Sequence, residues 1–525
     1  MLHKAYDEQI CAWLAAHRSE IVAELMALAR IPSVRSEPLP GAPFGTECAR
    51  VLDAAADLFT RLGFASRTEQ ERGYALGFSG DGEKVMGFFG HADVVPAGEG
   101  WRYTQPFDPI EKDGLLIGRG VADNKAGVIA AAYTVAMLRQ LDLPVRCRLL
   151  VYAGGNEETG MADVQAFAAN EPCPDISFVP DAAFPCGLGQ ISKTSLWVRC
   201  RTPFAAIRDF SGGIGVSAVM PDAYVTMEPS PTLEAWLRQE TAQNDALSLT
   251  VLPDGALQLH AKGVSAHAAW PVDGVNAGLL AAQVLRRCDA LPESDRAILA
   301  AYHDLLGDVY GSGLGVTYTD PLFGRRTCVN GMAATENGCL RVSMDARSGP
   351  RQPTHQLEAQ LRQVWDDHGW DIAEMSTRPG CFVPDGSPVP EMMRAICAEV
   401  TGKDIPPYIE PAGTYSCWLP NSYITGFTAP LRRELPLDFP AGYGGAHQPD
   451  EFLDIEPAGT YSCWLPNSYI TGFTAPLHRE LSLDFPAGYG GAHQPDEFLD
   501  IDGLLQAIRI LAHTALQCDT LLYPS

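Results

Sequence analysis

Five potential metal ligands follow one another along this 525-residue chain, and each stands where an apolar run ends. They are His91, Asp123, Glu158, Asp181 and the histidine of a His-Gln-Pro-Asp-Glu segment that occurs twice, at His447 and at His493. Imidazoles and carboxylates in this number can hold two divalent ions that share a carboxylate and keep an open position for water. The pattern therefore indicates a two-metal centre that activates water.

Asp123 is best placed to bridge two ions, because the glycines of Gly118-Arg119-Gly120 let its loop approach both metals closely. His91 and Asp181 would complete one ion, and Glu158 with the late histidine would complete the other. A lone His-x-Asp pair is more often a polar turn, and Glu-Glu after Gly-Gly is usually a solvated loop. The joint occurrence of these residues at the ends of predicted strands favours the metal site.

Two further acidic residues have predicted roles beside the metals. Asp93 stands two residues after His91 and can accept the free N–H of that imidazole, which would fix its tautomer. Glu157 and Glu158 are adjacent and cannot both ligate easily. A tight turn would direct Glu158 to a metal and leave Glu157 near the metal-bound water, where it can act as the general base.

Alternating strand-like and helix-like runs must position these residues. The strand-like runs are 84–89, 147–153 and 176–181, and the helix-like run is 125–141. This alternation predicts an α/β fold in which a mainly parallel sheet is flanked by helices. Open sheets of this kind bind ligands at the carboxyl ends of their strands, so the four loops should converge on one crevice.

The central part of the chain has a different pattern of predicted strands and helices. Residues 247–252 and 257–261 read as antiparallel strands joined at Pro253-Asp254-Gly255, and residues 277–291 read as a helix. We therefore predict a catalytic domain formed by residues 1–190 and 381–525, interrupted by a smaller α+β domain over residues 191–380. The amphipathic run from Ala5 to Ile31 predicts a helix that packs on the first domain.

Composition excludes several classes of partner. The formal charge of −26 makes nucleic acid and anionic membranes poor partners. No stretch is long and apolar enough to span a bilayer and the N-terminus does not read as a signal peptide, so we expect a cytoplasmic protein. The 14 cysteines include no Cys-x-x-Cys pair and indicate free thiols, most of them buried.

A near-perfect tandem repeat complicates the last metal ligand. Residues 410–455 recur as 456–501 with two differences, at positions 432 and 436 of the first copy. Both copies cannot occupy one structural position. The least disruptive arrangement takes Gly413-Thr414-Tyr415 from the first copy and His493 from the second, with the material between extruded at a modest loop-closure cost. His447 remains the alternative to His493.

Five segments together resemble a known family. They are Gly90–Pro96, Gly118–Lys125, Gly155–Gly160, Pro180–Pro185 and Ala492–Glu497. They are similar to segments of the co-catalytic di-zinc exopeptidases, which include carnosinase, aminoacylase, acetylornithine deacetylase and the PepV-type and Sapep-type bacterial dipeptidases. The resemblance implies a zinc-exopeptidase catalytic domain with an inserted lid domain, which in some relatives forms a dimer, and a cis peptide between Asp123 and Asn124.

The resemblance also implies the chemistry. The expected activity is that of a metallo-dipeptidase, which hydrolyses dipeptides with a free N-terminus by means of two divalent ions, zinc in the first instance and manganese as the alternative. An N-acyl amino acid amidohydrolase with the same metals and base is the alternative function, and an inactive scaffold is a further one. The small dipeptide would be the partner of a monomer or homodimer.

Further roles in substrate binding follow from the same resemblance. His267, in Gly263–Ala268, is expected to stabilise the oxyanion, and Arg347 to hold the terminal carboxylate of the substrate. Gly413 and Thr414 are expected to contact the substrate, because Gly-Thr-Tyr followed by Leu-Pro-Asn points to the dipeptidase branch. Two departures concern recognition: Cys417-Trp418 stands where dipeptidases usually carry an arginine, and residues 215–222 lack an asparagine found in relatives.

Overall fold

The computed structural model describes residues 4–410, 412–426, 493 and 495–524. Within these ranges the chain forms two large sheets, and each of them is associated with its own large hydrophobic core. His447 and the rest of the repeat from residue 427 to residue 492 lie outside the described residues.

The helices and strands have the following bounds. The helices are α1 (Lys4–Ala29), α2 (Thr46–Arg61), α3 (Lys125–Gln140), α4 (Ala162–Asn170), α5 (Pro231–Thr241), α6 (Ala277–Leu285), α7 (Glu293–Leu306), α8 (Thr354–Asp367), α9 (Val389–Thr401) and α10 (Ile501–Leu522). The strands are β1 (Ala65–Glu69), β2 (Tyr74–Ser79), β3 (Val85–His91), β4 (Ile110–Lys112), β5 (Leu115–Ile117), β6 (Arg148–Gly154), β7 (Ile176–Ala182), β8 (Gly187–Gln190), β9 (Ser192–Cys200), β10 (Ile207–Gly212), β11 (Asp222–Met227), β12 (Leu247–Val251), β13 (Leu257–Lys262), β14 (Thr319–Asp320), β15 (Gly324–Arg325), β16 (Thr327–Val329), β17 (Ala333–Glu336), β18 (Cys339–Ser348), β19 (Trp370–Arg378), β20 (Cys381–Phe382), β21 (Tyr408–Glu410), β22 (Ser422–Gly426) and β23 (Phe498–Asp500).

The first sheet is parallel at its centre and antiparallel at both edges. Its strands lie in the order β1-β2-β6-β3-β7-β22-β8-β20, and β21 pairs with β8. β6, β3, β7 and β22 run parallel, whereas β1, β2 and β6 are antiparallel neighbours, as are β22, β8 and β20. The predicted α/β class is confirmed, with the difference that the sheet is mixed. β1 and β2 are joined by residues 70–73 alone, a connection too short for a parallel crossover.

Helices cover both faces of this sheet. Residues 125–138 of α3 are all buried, because α3 packs on β3 and β6 and is itself covered by α1 and α10. A helix that is apolar on nearly all sides is stable only in such a position. On the other face, Phe167 of α4 packs edge-on against Tyr74, Phe89 and Tyr152 of the sheet. Both faces of the sheet are thereby covered, and the carboxyl ends of its central parallel strands lie at one edge.

The second sheet is antiparallel throughout, in the order β12-β13-β11-β10-β17-β18-β9-β19, with β16 beside β18. β9 alternates buried and partly exposed residues, as expected for a sheet that is covered on one face. α5, α6 and α8 pack on it. α6 ends at Leu285, six residues before the predicted end, because turns over residues 286–291 lead the chain into α7.

A small sheet, β23-β5-β4, joins the end of the chain to the loop that precedes Asp123. β23 belongs to the second copy of the repeat, and its pairing with β5 places the start of α10 beside this loop. No helix in the described ranges is long and apolar enough to cross a membrane.

Candidate metal centre

His91 is the last residue of β3 and lies at the centre of a buried cluster of acidic side chains. Its Nε2 atom is 3.0 Å from Asp123 Oδ1, 3.7 Å from Asp181 Oδ1 and 3.9 Å from Glu157 Oε2. Asp181 stands near the end of β7 and Glu157 in the turn after β6. The carboxyl ends of three parallel strands therefore converge, as the sequence predicted.

His493 approaches the same cluster from the other side. Its Nε2 atom is 3.1 Å from Asp123 Oδ2 and 3.0 Å from Glu158 Oε1. Asp123 thus presents one carboxylate oxygen to each of two imidazoles. Asp123 thereby lies between His91 and Asp181 on one side and Glu158 and His493 on the other, a placement in which its carboxylate could bridge two ions.

The donor set fits a divalent metal centre. Ligand atoms of His91, Asp123 and Glu158 lie within 4.8 Å of one another, and so do those of His91, Glu157 and Asp181. Zinc–ligand bonds of about 2.0–2.2 Å in tetrahedral geometry separate neighbouring ligand atoms by about 3.3–3.6 Å. The separations of 3.0–3.1 Å in the cluster are close to that spacing.

The cluster contains more carboxylates than imidazoles, and this excess of negative charge raises the pKa values of several of its members. Burial lowers the pKa of His493, but the charges and hydrogen bonds of Glu158 and Asp123 outweigh burial and raise it to about 10. Burial raises the pKa of both Glu157 and Asp181 well above the ordinary value, against the opposing charge of His91. A buried group of mutually repelling anionic donors is stabilised by bound cations, which supports a metal site.

Asp93 lies beside the His91 imidazole, as predicted, and makes further contacts. His91 Nδ1 lies 3.0 Å from the backbone carbonyl oxygen of Asp93 and 3.4 Å from its Oδ1 atom, so the carbonyl is the nearer acceptor. The carboxylate accepts the backbone N–H groups of Glu157 and Glu158, at 3.0 and 3.1 Å. Asp93 therefore orients both the imidazole and the turn that carries the two glutamates.

Sequence reasoning missed the support beneath that turn. Asp163 accepts hydrogen bonds from the backbone N–H of Asn156 at 3.0 Å and from the Tyr415 hydroxyl at 2.5 Å. The Tyr415 ring lies edge-on to His91, with centroids 6.4 Å apart. Burial, with the nearby charge of Asp93, raises the pKa of Asp163 to about 7. The tyrosine of the Gly-Thr-Tyr segment was the available signal, because a buried hydroxyl needs a partner.

The loop of Asp123 is held by a residue of the second repeat copy. Glu497 is fully buried and accepts the backbone N–H groups of Ala122 and Asp123, at 3.0 and 3.1 Å. Its other oxygen accepts from Arg119 Nη1 at 2.6 Å. The peptide between Asp123 and Asn124 is cis, as the resemblance implied. The Asp-Glu that follows His493 in the repeat could have indicated this role.

The residues predicted to bind substrate lie in two places. Thr414 donates its backbone N–H and its hydroxyl to Gln190 Oε1, at 3.2 and 3.4 Å. Gly413 packs directly on Arg378, where a Cβ atom would lie 1.9 Å from Nη1. Both belong to the first repeat copy, so the structure combines Gly413-Thr414 from that copy with His493 from the second.

His267 and Arg347 lie in the part of the chain that forms the second sheet. The His267 ring is 5.3 Å from that of Trp270, and its backbone forms a bridge with Ala218. Arg347 Nε donates to Asp345 Oδ1 at 2.7 Å, and Nη2 donates to Ser217 Oγ at 3.3 Å. These contacts of His267 and Arg347 are all with residues of this part of the chain. His447 lies outside the described residues.

The chain is similar in sequence to a known peptidase family and to several bacterial proteins. A model of Peptidase family M20/M25/M40 matches residues 87–460. The chain is 26% identical over 451 residues to YtjP of Bacillus subtilis strain 168, which is named as a candidate dipeptidase, and the match covers 83% of this chain and 94% of that protein. It is 24% identical over 423 residues to a similarly named protein of Staphylococcus aureus strain USA300, over 76% of this chain and 88% of that protein.

Two solved structures share the fold. Human carnosine dipeptidase 1 is 16% identical with a TM-score of 0.51, and the match covers 98% of this chain and 100% of that one. The dipeptidase Dug1p of Saccharomyces cerevisiae is 12% identical with a TM-score of 0.52, and both chains are covered completely.

Proposed function

Because the chain belongs to peptidase family M20/M25/M40, whose members are metal-dependent, we propose that it is a metallo-dipeptidase which hydrolyses dipeptides with a free N-terminus. The observation that carries the proposal is the placement of Asp123 between His91 and His493, with Glu157 beside them. Three or more ligand groups around each metal position leave room for a substrate or water, as hydrolytic metal sites require.

The metal would be held by the residues of the cluster. His91 and Asp181 would hold one divalent ion, Glu158 and His493 would hold a second, and Asp123 would bridge them. When bound, the ions supply Lewis acidity that polarises a carbonyl and makes water a better acid. Zinc is the expected metal, and manganese is the alternative that the same nitrogen and oxygen donors accept.

Glu157 is proposed as the general base. Its carboxylate is buried and is directed at the cluster, with Oε2 3.9 Å from His91 Nε2. Burial and the neighbouring carboxylates raise its proton affinity, which suits a group that takes a proton from water and delivers it to the leaving amine. Asp93, by holding the backbone N–H of Glu157, is proposed to fix the position of this base.

Charge favours a substrate with a free amino group. The site contains five carboxylates, of which those of Glu157, Glu158 and Glu410 are buried and those of Asp123 and Asp181 are partly exposed. Fully ionised, they carry more negative charge than two divalent ions offset, so the site retains an affinity for a cation. A dipeptide supplies that cation as its ammonium group, whereas an N-acyl amino acid does not. We propose Glu410, whose pKa burial raises to about 7, as a residue that meets the ammonium.

The other end of the substrate is proposed to meet the lid. Arg347 is oriented by Asp345 through Nε and Nη2, and among the described residues Nη1 has no acceptor. This nitrogen is the one we propose to bind the terminal carboxylate, while His267 stabilises the oxyanion, after the lid closes over the cleft. Gly413 and Thr414 would line the substrate site between the lid and the metals.

The test compares the hydrolysis of two classes of substrate by protein with a defined metal content. Chelator-stripped protein, with zinc or manganese added back, should cleave free-amine dipeptides and should cleave N-acetyl amino acids at least tenfold more slowly. A preference for the N-acetyl compounds would establish an amidohydrolase, and no hydrolysis with either metal would establish a scaffold. Cytoplasmic location and a monomeric or homodimeric state stay predictions, to be tested by cell fractionation and by light scattering.

A further inference from the structure

The thiols of Cys381 and Cys417 lie close together at the point where the chain returns from the second sheet to the first. Cys381 begins β20, and Cys417 lies in the 3-10 turn that follows Gly413-Thr414. The sulfur of Cys417 is 3.0 Å from Gln190 Oε1, and that of Cys381 is 3.6 Å from the same atom. The two thiols therefore lie beside each other on one acceptor, and each shifts the pKa of the other. Both cysteines are partly exposed residues.

A cation lies against one of the two sulfurs. Arg378 Nη1 donates to Cys417 Sγ at 3.3 Å, and the guanidinium is kept in place because Gly413 has no side chain. Burial raises the pKa of Cys417, but the adjacent Cys381 thiol and the charge of Arg378 outweigh it and lower the pKa to about 7. The pKa of Cys381 is raised in turn by Cys417. Cys417 is thus the nucleophile of the pair and Cys381 is the proton holder.

We propose that Cys381 and Cys417 are an oxidisable dithiol, which hydroperoxides convert into a disulfide. With hydrogen peroxide, the Cys417 thiolate attacks one oxygen and the O–O bond breaks, which gives a sulfenic acid and a hydroxide that takes up the proton released by Cys417 and becomes water. The Cys381 sulfur then attacks the sulfenic sulfur, the S–O bond breaks, and the proton of Cys381 leaves with the oxygen as a second water. Two thiols and one hydrogen peroxide therefore become one disulfide and two waters.

Because of where the two cysteines lie, a disulfide between them would restrict movement between the two sheets. Cys381 pairs in register with Gln190, which lies two residues before the start of β9. The two connections between the first and the second sheet therefore run side by side at this point. A bond from Cys381 to Cys417 would tie them to the turn that carries Thr414. We infer that oxidation restricts closure and lowers hydrolysis, a consequence that rests on the proposed function.

The chain allows the bond to be mapped without any substitution. The metal-loaded protein is treated with hydrogen peroxide, its remaining thiols are alkylated, and tryptic peptides are analysed by mass spectrometry. Cys381 is the one cysteine of peptide 363–394, and Cys417 is the one cysteine of peptide 404–432. The matching cysteine of the second repeat copy, Cys463, falls in peptide 434–479 and has a different mass. We expect a cross-link between peptides 363–394 and 404–432, lost on treatment with dithiothreitol.

Cys11 is the matched internal control. It is also partly exposed and near an arginine, Arg509, but that arginine is paired with Asp7, and burial raises the pKa of the thiol. Its tryptic peptide, 5–18, has no other cysteine. At the peroxide dose that cross-links half of the protein, we expect Cys11 to stay at least 80% alkylatable. Oxidation of Cys11 at the same rate as Cys417, or a cross-link to peptide 434–479, would overturn the proposal.

Two variants separate the formation of the sulfenic acid on Cys417 from the formation of the disulfide. In Cys381→Ser, Cys417 should form a sulfenic acid that dimedone traps, with no cross-link. In Arg378→Gln, oxidation of Cys417 at pH 7 should be at least fivefold slower, and an unchanged rate would contradict activation by the guanidinium. Dipeptide hydrolysis is followed on the same samples and should fall at least fivefold on oxidation. Cross-linking without a change in hydrolysis would refute the consequence for catalysis, and a protein that cleaves no dipeptide would still report the cross-link.

Discussion

Glu497 accepts a hydrogen bond from the backbone N–H of Asp123 at 3.1 Å, although 374 positions separate the two residues. The same carboxylate is paired with Arg119, and both side chains are buried. The position of Asp123, the proposed bridging ligand, therefore depends on a glutamate outside the proposed ligand set. The end of the second repeat copy is part of the structural support of the site.

Glu497→Gln should destabilise the protein and weaken metal binding. The amide keeps one acceptor oxygen, but Arg119 loses the charge that offsets its burial. Breaking one partner of a buried ion pair costs about 3–5 kcal/mol in the free energy of unfolding. Chemical denaturation measures this loss, with Glu37→Gln at an exposed position as the control, for which a change of under about 0.5 kcal/mol is expected. Equal stability of the two variants would contradict the role of Glu497.

Glu157→Gln should keep its metals and lose turnover. The amide retains the size of the side chain but cannot accept a proton, so kcat should fall by about 10²–10⁴ fold. Glu158→Gln is the matched comparison, because its carboxylate faces His493 and should hold a metal. Elemental analysis should therefore find two metals per chain in the first variant and fewer in the second. Near-normal turnover in Glu157→Gln would reject this glutamate as the base.

Asp163 should make the stability of the metal-free protein depend on pH. Burial raises its pKa to about 7 from the ordinary value of 3.8, so the folded state prefers the protonated form. Its contribution to stability is therefore complete below pH 4 and is lost as the pH rises through 7. A shift of this size corresponds to about 4 kcal/mol.

Asp163→Asn tests this dependence, because asparagine resembles the protonated acid and does not ionise. Between pH 4 and pH 8, the free energy of unfolding of the variant should decline by about 4 kcal/mol less than that of the native protein. The measurement is urea unfolding of metal-free protein across that range. Parallel pH profiles for the two proteins would show that Asp163 is not the titrating group.

The convergence of the proposed ligands was easier to predict from the sequence than the contacts that support them. His91, Asp123, Glu158 and Asp181 stand at the ends of apolar runs, and the carboxyl ends of parallel strands must share one edge of a sheet. Their convergence therefore follows from local patterns. Glu497 and Asp163 act through hydrogen bonds with backbone N–H groups of other segments. The local hydrophobic periodicity of the sequence does not predict such contacts. The same limit explains the contact of Asp93 with the glutamate turn, because it depends on how two loops meet.

The connections were also harder to predict than the elements. The apolar runs of β3, β6 and β7 predicted a parallel centre, and the structure has one. The antiparallel edges come from short connections and from the strands that enter and leave the second sheet, which depend on chain reversals. α6 was predicted too long for the same reason, because its apolar pattern continues through turns that end the helix.

The repeat offers a direct test of which copy supplies the last ligand. His493 Nε2 lies 3.0 Å from Glu158 and 3.1 Å from Asp123, so His493→Ala should remove one donor from one metal position. We expect the bound metal to fall from two ions to one per chain and turnover to fall by at least a hundredfold. His447→Ala is the matched control, because it removes the same residue from an identical local sequence. It should keep two metals and native turnover. Loss of metal in His447→Ala, with His493→Ala unaffected, would assign the ligand to the first copy instead.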